Sequence, residues 1–141
     1  MAEVGRALVE IVALGLPAAD PADAIERGQR SRNDWAGAQS VLKAGLARDP
    51  NNAEYHNLYA YNVRKGSNPD MSLVFKHYNE ALRIEPKHRG ANEYLGEAYL
   101  MVGNLPKAKE QLAALDRICL LSCKEHGELK KSIADYETKR K

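Results

Sequence analysis

The sequence predicts an all-α protein, an α-solenoid of about three helix-turn-helix repeats closed by a C-terminal capping helix. Two observations lead to this prediction. Apolar residues recur at helical spacing before each of two acid-proline pairs, Asp49-Pro50 and Glu85-Pro86, which lie 36 residues apart. The same spacing returns in a third stretch, at Ala108, Leu112 and Leu115. A period in this range is typical of stacked helix pairs, which bury their apolar faces against one another.

Composition limits the alternatives. A chain of 141 residues predicts one domain, and 44% hydrophobic with 28% charged residues is ordinary for a globular protein. The net charge of +2 argues against a nucleic-acid partner. No stretch of 18 apolar residues occurs, so we expect no integral membrane segment.

Residues 1–18 allow two interpretations. Val4, Leu8 and Ile11 would share one face of an amphipathic helix, with charged residues on another face. Alternatively, Ala7 to Leu16 with the following Pro17-Ala18-Ala19 resembles a degraded export signal, although Glu3 and Glu10 do not fit one. We therefore expect a cytoplasmic protein as the chain is written, and a periplasmic or exported one if the N-terminus is a truncated signal.

The first repeat is predicted over residues 19–52 and has the weakest pattern. Asp20-Pro21 suits a helix start, because Asp can cap a helix and Pro fits its first turn. The first helix then has Gly28, Gln29 and Arg30 where bulky residues are usual. The second helix follows Trp35 and carries Ala38, Leu42 and Leu46.

The second repeat is predicted over residues 53–88 and the third over 89–122. In the second, residues 66–70 form a turn cluster and residues 71–84 the second helix. The third has Leu95, Gly96 and Tyr99 in its first helix, a turn at Gly103-Asn104, and Pro106 in the first turn of its second helix. Residues 123–141 follow as a capping helix, with one apolar stripe formed by Leu129, Ile133 and Tyr136.

The combination Leu95-Gly96-x-x-Tyr99, Ala108 and Leu112 carries a family resemblance. From residue 19 to its end, the chain resembles the tetratricopeptide repeat family, which implies a right-handed solenoid that acts as a scaffold or adaptor. Residues 115–123 and the helix ending near Tyr136 also resemble one group of small bacterial repeat proteins. Members of that group are often exported and often carry a Cys pair at this place.

The resemblance implies that the first helices of the repeats line a concave groove that holds a peptide or partner helix. Periodicity also directs some residues of these helices outward, away from the apolar stripe. These predicted partner-binding residues are Arg27, Arg30, Asn57, Tyr61, Arg64, Lys65, Glu93, Glu97 and Met101. Their charges are mixed, so we expect a protein or peptide partner of mixed charge. Self-association as a homodimer, and peripheral membrane binding through residues 1–18, are the alternatives.

Catalysis and metal binding have little support in the sequence. It has no phosphate-binding loop and no Gly-x-Ser-x-Gly or His-Glu-x-x-His motif, so we expect neither an enzyme nor a cofactor. Cys119, Cys123 and His126 lack the second ligand pair of a structural zinc site, and we predict no metal. Cys119 and Cys123 can form a disulfide in an oxidising compartment if the link between helices departs from regular helix. In a reducing compartment they would be two half-buried thiols.

Overall fold

A computed structural model describes residues 35–139, and this part of the chain is entirely α-helical, which confirms the predicted fold class. Six helices occur in the described range. They are α1 (Trp35–Arg48), α2 (Ala53–Lys65), α3 (Met71–Ile84), α4 (Arg89–Met101), α5 (Leu105–Cys119) and α6 (Lys124–Lys139). Each helix packs against the next one in the chain, and α4 also contacts α2 and α6. This arrangement is that of a helical repeat, as the periodicity predicts.

Several predictions from the sequence concern residues outside this range. The interpretations of residues 1–18, the first helix of the first repeat, Arg27 and Arg30 all lie outside the described residues. None of the helices within residues 35–139 has the length and apolarity needed to cross a bilayer.

Side chains cap the starts of four helices, which explains why the helices begin where they do. The side chains of Asn52, Asp70 and Asn104 each accept a hydrogen bond from a backbone N–H three residues later. His88 caps α4 in the same way, because its Nδ1 accepts from the N–H of Ala91 at 2.9 Å. Such caps satisfy backbone donors that the helix itself leaves unpaired.

The core runs through the stack as two main clusters. The first joins α1, α2, α3 and α4, and the second joins α5 and α6. The largest buried apolar side chains are Tyr78, Leu42, Leu95, Leu115, Leu129 and Val74. Leu129 and Ile133 of α6 are buried, so the apolar stripe predicted for the last helix does face the stack.

The link between α5 and α6 departs from regular helix. Leu120 has φ of 31° and Ser122 has φ of 122°, both in a region that side chains with a β-carbon rarely adopt. Cys119 and Cys123 form a disulfide across this link, with α-carbons 5.7 Å apart. Leu120 and Leu121, between the two cysteines, are 86% and 95% exposed.

Candidate functional site

Three aromatic side chains from three helices form a row along one face of the stack. Trp35 of α1 meets Tyr61 of α2 edge-on, with ring centroids 6.0 Å apart. Tyr61 in turn contacts Tyr94 of α4, with centroids 4.7 Å apart. All three residues are half-buried, so each leaves part of its surface accessible to solvent. We call Trp35, Tyr61 and Tyr94 the aromatic row.

Arg64 ties this row to the core. Its guanidinium lies 5.4 Å from the ring centroid of Tyr61 and 5.6 Å from that of Tyr94, within the range of cation–π attraction. Its Nε donates to the phenol oxygen of Tyr78 at 3.2 Å. A further weak contact, 3.9 Å long, reaches the sulfur of Met101. The guanidinium therefore bridges α2, α3 and α4 at the base of the row.

The hydroxyl group of Tyr78 accepts that hydrogen bond from within the core. Its side chain is completely buried on α3, and burial raises its pKa far above the usual value for a phenol. Burial likewise raises the pKa of Tyr94, to about 12. Both phenols are neutral at physiological pH and act as hydrogen-bonding and stacking groups.

Beside the row, α4 and α6 present carboxylates. Glu97 of α4 accepts a hydrogen bond from the hydroxyl of Ser132 on α6, with the oxygens 2.7 Å apart. Glu125 and Glu128 of α6 lie near enough to Glu93 to raise its pKa by charge repulsion. We call Glu93, Glu97, Glu125 and Glu128 the acidic wall.

Two members of the acidic wall are unusual carboxylates. Burial, followed by the charges of Glu97, Glu125 and Glu128, raises the pKa of Glu93 to about 7. Arg64 lowers it, but less than burial raises it. Burial also raises the pKa of Glu97, against the opposing effects of Ser132 and Arg64. Within residues 35–139, the cations that act on Glu93 and Glu97 therefore lower the pKa of each carboxyl less than burial raises it.

Asn57 does not face solvent as the sequence predicted, and that expectation is wrong. Its side chain is 2% exposed, and its Nδ2 donates to Glu54 Oε1 at 3.0 Å. The same Glu54 oxygen lies 3.3 Å from Nε2 of His88. The hydrogen bond with His88 lowers the pKa of Glu54 and raises that of His88. These contacts join the start of α2 to the start of α4.

The Oδ1 atom of Asn57 is buried without a hydrogen-bond partner. An unsatisfied buried acceptor costs about 1–3 kcal/mol. The amide lies at the seam between α2 and α4, since a β-carbon built on Gly90 would be 3.4 Å from Nδ2 of Asn57. The same face of α2 continues one turn later with Tyr61.

The structure thus places the seven predicted partner-binding residues that it describes on two neighbouring helices, α2 and α4. Tyr61 and Arg64 lie in or under the aromatic row, and the Nζ atom of Lys65 is 5.9 Å from the ring centroid of Tyr61. Glu93 and Glu97 form half of the acidic wall. Met101 is 50% exposed at the end of α4.

The sequence does not predict four residues of this face as part of the site, namely Trp35, Tyr94, Glu125 and Glu128. In the sequence, Trp35 indicates only the start of a helix, and Tyr94 belongs to the repeat motif. The two glutamates of α6 lie on a helix that is expected only to close the stack. Their spacing from Leu129 would place them beside α4 once α6 is known to pack there.

A second polar cluster lies elsewhere, between α2 and α3. Nε2 of His56 lies 2.7 Å from the carbonyl oxygen of Pro50, so this nitrogen carries the proton and donates. His56 Nδ1 then accepts from Nδ1 of His77 at 2.9 Å. Burial, followed by the charge of His56, lowers the pKa of His77 to about 4. The ring of His77 is therefore neutral near pH 7, and no pattern in the sequence indicates that the two rings pair.

Among residues 35–139, no three His, Cys, Asp or Glu side chains are arranged to hold a metal ion. No protein-family model matches the chain, and no curated protein matches it. What the described site offers chemically is a set of partly exposed aromatic side chains beside carboxyls whose pKa values burial raises.

Proposed function

We propose that this chain is a non-enzymatic interaction module of the tetratricopeptide type, which holds a peptide or a partner helix on the face formed by α2 and α4. The observation that supports this most directly is the aromatic row. Half-exposed aromatic rings bordered by charged groups provide the anchors on which binding energy concentrates in protein interfaces. The repeat arrangement of the helices supports the same proposal, because solenoids present extended binding surfaces.

The charged residues around the row favour a peptide partner over a purely apolar one. Lys65 is exposed beside Tyr61, and Glu93 of the acidic wall lies near enough to Tyr94 to act on it electrostatically. Met101 adds an exposed apolar side chain near Arg64. A bound segment would meet cationic, aromatic and anionic groups within a few residues of its length.

A selection from a displayed library of random 12-residue peptides tests this function even though the natural partner is unidentified. The full chain serves as bait, and calorimetry measures the affinity of enriched peptides. Tyr61→Ala should weaken binding by tenfold or more, because it removes the centre of the aromatic row. Lys76→Glu, at an exposed position on α3, serves as the matched control and should leave the affinity unchanged. Enriched peptides that bind equally well to Tyr61→Ala would contradict the proposal.

Self-association is a second candidate, and one observation favours it. Leu120 and Leu121 are almost fully exposed within the disulfide-closed link, and exposed large apolar pairs mark contact surfaces. Light scattering over a hundredfold range of concentration would show a mass that rises with concentration. Leu120→Ser with Leu121→Ser should restore the monomer mass. A constant monomer mass for the unmodified chain would exclude this candidate.

A further inference from the structure

We propose that the link between α5 and α6 is a site of thiol–disulfide exchange, at which an incoming thiol forms a mixed disulfide with Cys123 while Cys119 serves as the resolving thiol. The reactive group is the disulfide between these two residues, whose α-carbons are 5.7 Å apart. Its substrates are thiols, carried by a small molecule or by a polypeptide. This site shares no residue with the face proposed to bind peptides, so each proposal can fail without the other.

The two cysteines differ in burial. Cys119 is 7% exposed and belongs to the second core cluster. Cys123 is half-buried and packs against that cluster, and the three residues between the cysteines, 120–122, are exposed. The rate of exchange depends on access to the sulfur that is attacked. Attack on Cys119 would require the incoming group to enter the core, so the exposed link favours attack on Cys123.

The two cysteines also lie at helix ends of opposite polarity. Cys119 is the last residue of α5, where the helix dipole and burial both disfavour a negative charge. Cys123 directly precedes α6, and its carbonyl oxygen accepts a hydrogen bond from the N–H of Gly127 at 3.1 Å. A thiolate is stabilised at the start of a helix. In the dithiol form, the nucleophilic thiolate is therefore that of Cys123.

A second contact spans the same link and keeps the two thiols close together when the disulfide is open. Nε2 of His126, in the first turn of α6, donates to Oδ1 of Asp116, in the last turn of α5, at 2.7 Å. The apolar stripe of α6 is also buried, and the helix packs against α4 and α5. Since neither feature depends on the S–S bond, Cys119 stays within reach of Cys123 and can resolve a mixed disulfide formed there.

The exchange runs in two balanced steps. A thiolate, RS⁻, attacks the sulfur of Cys123, so that a bond between the two sulfurs forms and the bond to Cys119 breaks. The electron pair leaves with the sulfur of Cys119, which takes a proton from water. A second RS⁻ attacks the external sulfur of the mixed disulfide and releases RSSR and the Cys123 thiolate. In the reverse direction, the Cys123 thiolate attacks RSSR, and Cys119 then displaces the second RS⁻.

The first experiment maps the mixed disulfide on the oxidised full chain. The chain is mixed with limiting glutathione or, in parallel, with a peptide that carries one cysteine between apolar residues. Acid stops the exchange, and an alkylating reagent blocks free thiols. Mass spectrometry of fragments cut at Leu120 or Leu121 separates the two cysteines. We expect roughly tenfold or more adduct on Cys123 relative to Cys119.

The second experiment measures the two thiols separately. Cys119→Ala leaves Cys123 free and Cys123→Ala leaves Cys119 free, and circular dichroism verifies that both variants are folded. At pH 7 the thiol of Cys119→Ala should react with an aromatic disulfide reagent roughly tenfold or more faster than the thiol of Cys123→Ala. In concentrated urea the two rates should become equal, because the fold produces the difference. If either variant fails to fold, the adduct map on the unmodified chain decides.

The two thiols of the first experiment distinguish the sources of the substrate. Leu120 and Leu121 are 86% and 95% exposed beside the disulfide, where they can contact an apolar peptide. A faster reaction of the peptide, which Leu120→Ser with Leu121→Ser slows to the rate of glutathione, would assign the site to a polypeptide thiol. Equal rates of peptide and glutathione would assign it to a small thiol. In both cases the adduct lies on Cys123.

Two results would overturn the inference. An adduct found mainly on Cys119, or divided equally between the cysteines, would show that burial does not direct the exchange. Equal rates of the two folded single variants would show that burial and the helix ends do not make Cys123 the reactive thiol. Neither result bears on the binding of peptides by the aromatic row.

Discussion

Gly96 of α4 lies directly against Leu129 of α6. A β-carbon built on Gly96 would be 2.7 Å from Cδ2 and 2.8 Å from Cδ1 of Leu129, closer than such carbons approach in proteins. Leu129 is completely buried, so moving its side chain aside would disturb the core residues around it. The missing side chain at position 96 is what lets the capping helix approach α4 and bring Glu125 and Glu128 beside Glu93.

Substituting Gly96 by leucine should therefore destabilise the protein strongly. Overpacking of this kind costs about 1–3 kcal/mol, which corresponds to a fall in melting temperature of roughly 3–10 °C for a chain of this length. Gly127→Ala on α6 is the matched control, because a β-carbon there would meet nothing within 4 Å. That control should be neutral or slightly stabilising, since alanine favours helix over glycine by up to about 1 kcal/mol. A melting temperature of Gly96→Leu equal to wild type would contradict the packing described.

The contact between Arg64 and Tyr78 should be measurable as a coupling energy. Arg64→Ala leaves the buried phenol of Tyr78 without its partner, at a cost of about 1–3 kcal/mol in the free energy of unfolding. Tyr78→Phe removes the hydroxyl group itself, so Arg64→Ala should cost less in that background. Urea denaturation of the four proteins gives the coupling, which we expect to be about 1 kcal/mol. Additive single effects would show that the hydrogen bond contributes nothing.

Sequence alone predicts the helices well and the site less well, for identifiable reasons. Helix positions follow from apolar periodicity and capping residues such as Asp70 and Asn104, which are local properties of the chain. Whether a polar residue on a helix is exposed depends on neighbouring elements. Asn57 avoids the apolar stripe of α2, as its spacing indicates, but the seam with α4 buries it.

Arg64 and the acidic wall show the same limit. The helical register correctly separates Arg64 from the apolar core of α2, but it contains no sign that the guanidinium reaches Tyr78 on α3. The wall is assembled from α4 and α6, whose contact depends on the close approach at Gly96. A pattern confined to one helix cannot reveal a site that two helices form together.

Glu93 should make the protein less stable as the pH rises from about 4.5 to 7. Its pKa is about 7 in the native state and 4.5 as the ordinary value, so the native state binds more protons within this window. The free energy of unfolding therefore falls as the pH increases. For a half-buried carboxyl the change is on the order of 1 kcal/mol after allowance for solvent screening.

Glu93→Gln removes that dependence and should be more stable than wild type at pH 8, with a smaller difference at pH 4.5. Urea denaturation at the two pH values measures both. Glu110→Gln on α5 is the control, and its effect on the free energy of unfolding should be the same at the two pH values. Equal stability of Glu93→Gln and wild type at pH 8 would contradict this prediction, because it would show that the ionised Glu93 side chain does not destabilise the native state.

His77 should have the opposite effect on the pH dependence of stability, because it should make the protein less stable as the pH falls. Its pKa falls from 6.5 to about 4 on folding, so the unfolded state binds more protons between these values. The stabilisation is present above pH 6.5 and is lost as the pH falls toward 4. The ring is half-exposed, so the loss is on the order of 1 kcal/mol. His77→Gln should lose less stability than wild type between pH 7 and 4 in urea denaturation. An identical loss in the two proteins would assign the acid sensitivity to other groups.

The disulfide between Cys119 and Cys123 should contribute modestly to stability and mainly to the order of α6. It closes a short loop, for which the loss of chain entropy is worth about 2 kcal/mol at most. Cys119 is buried against the second core cluster, so reduction leaves a thiol in the same apolar place. Reduction should therefore lower the free energy of unfolding by less than about 2 kcal/mol. Hydrogen exchange should become faster in the first turn of α6, where the disulfide ends.

The control for that experiment is the double variant Cys119→Ala with Cys123→Ala. Its free energy of unfolding should resemble that of the reduced protein and should not change when reductant is added. Thiol counting before and after reduction verifies the starting state. If reduction instead unfolds residues 124–139 as a whole, the packing of Leu129 and Ile133 would be insufficient to hold α6. The acidic wall would then depend on the redox state of its surroundings, because Glu125 and Glu128 reach Glu93 only when α6 is docked.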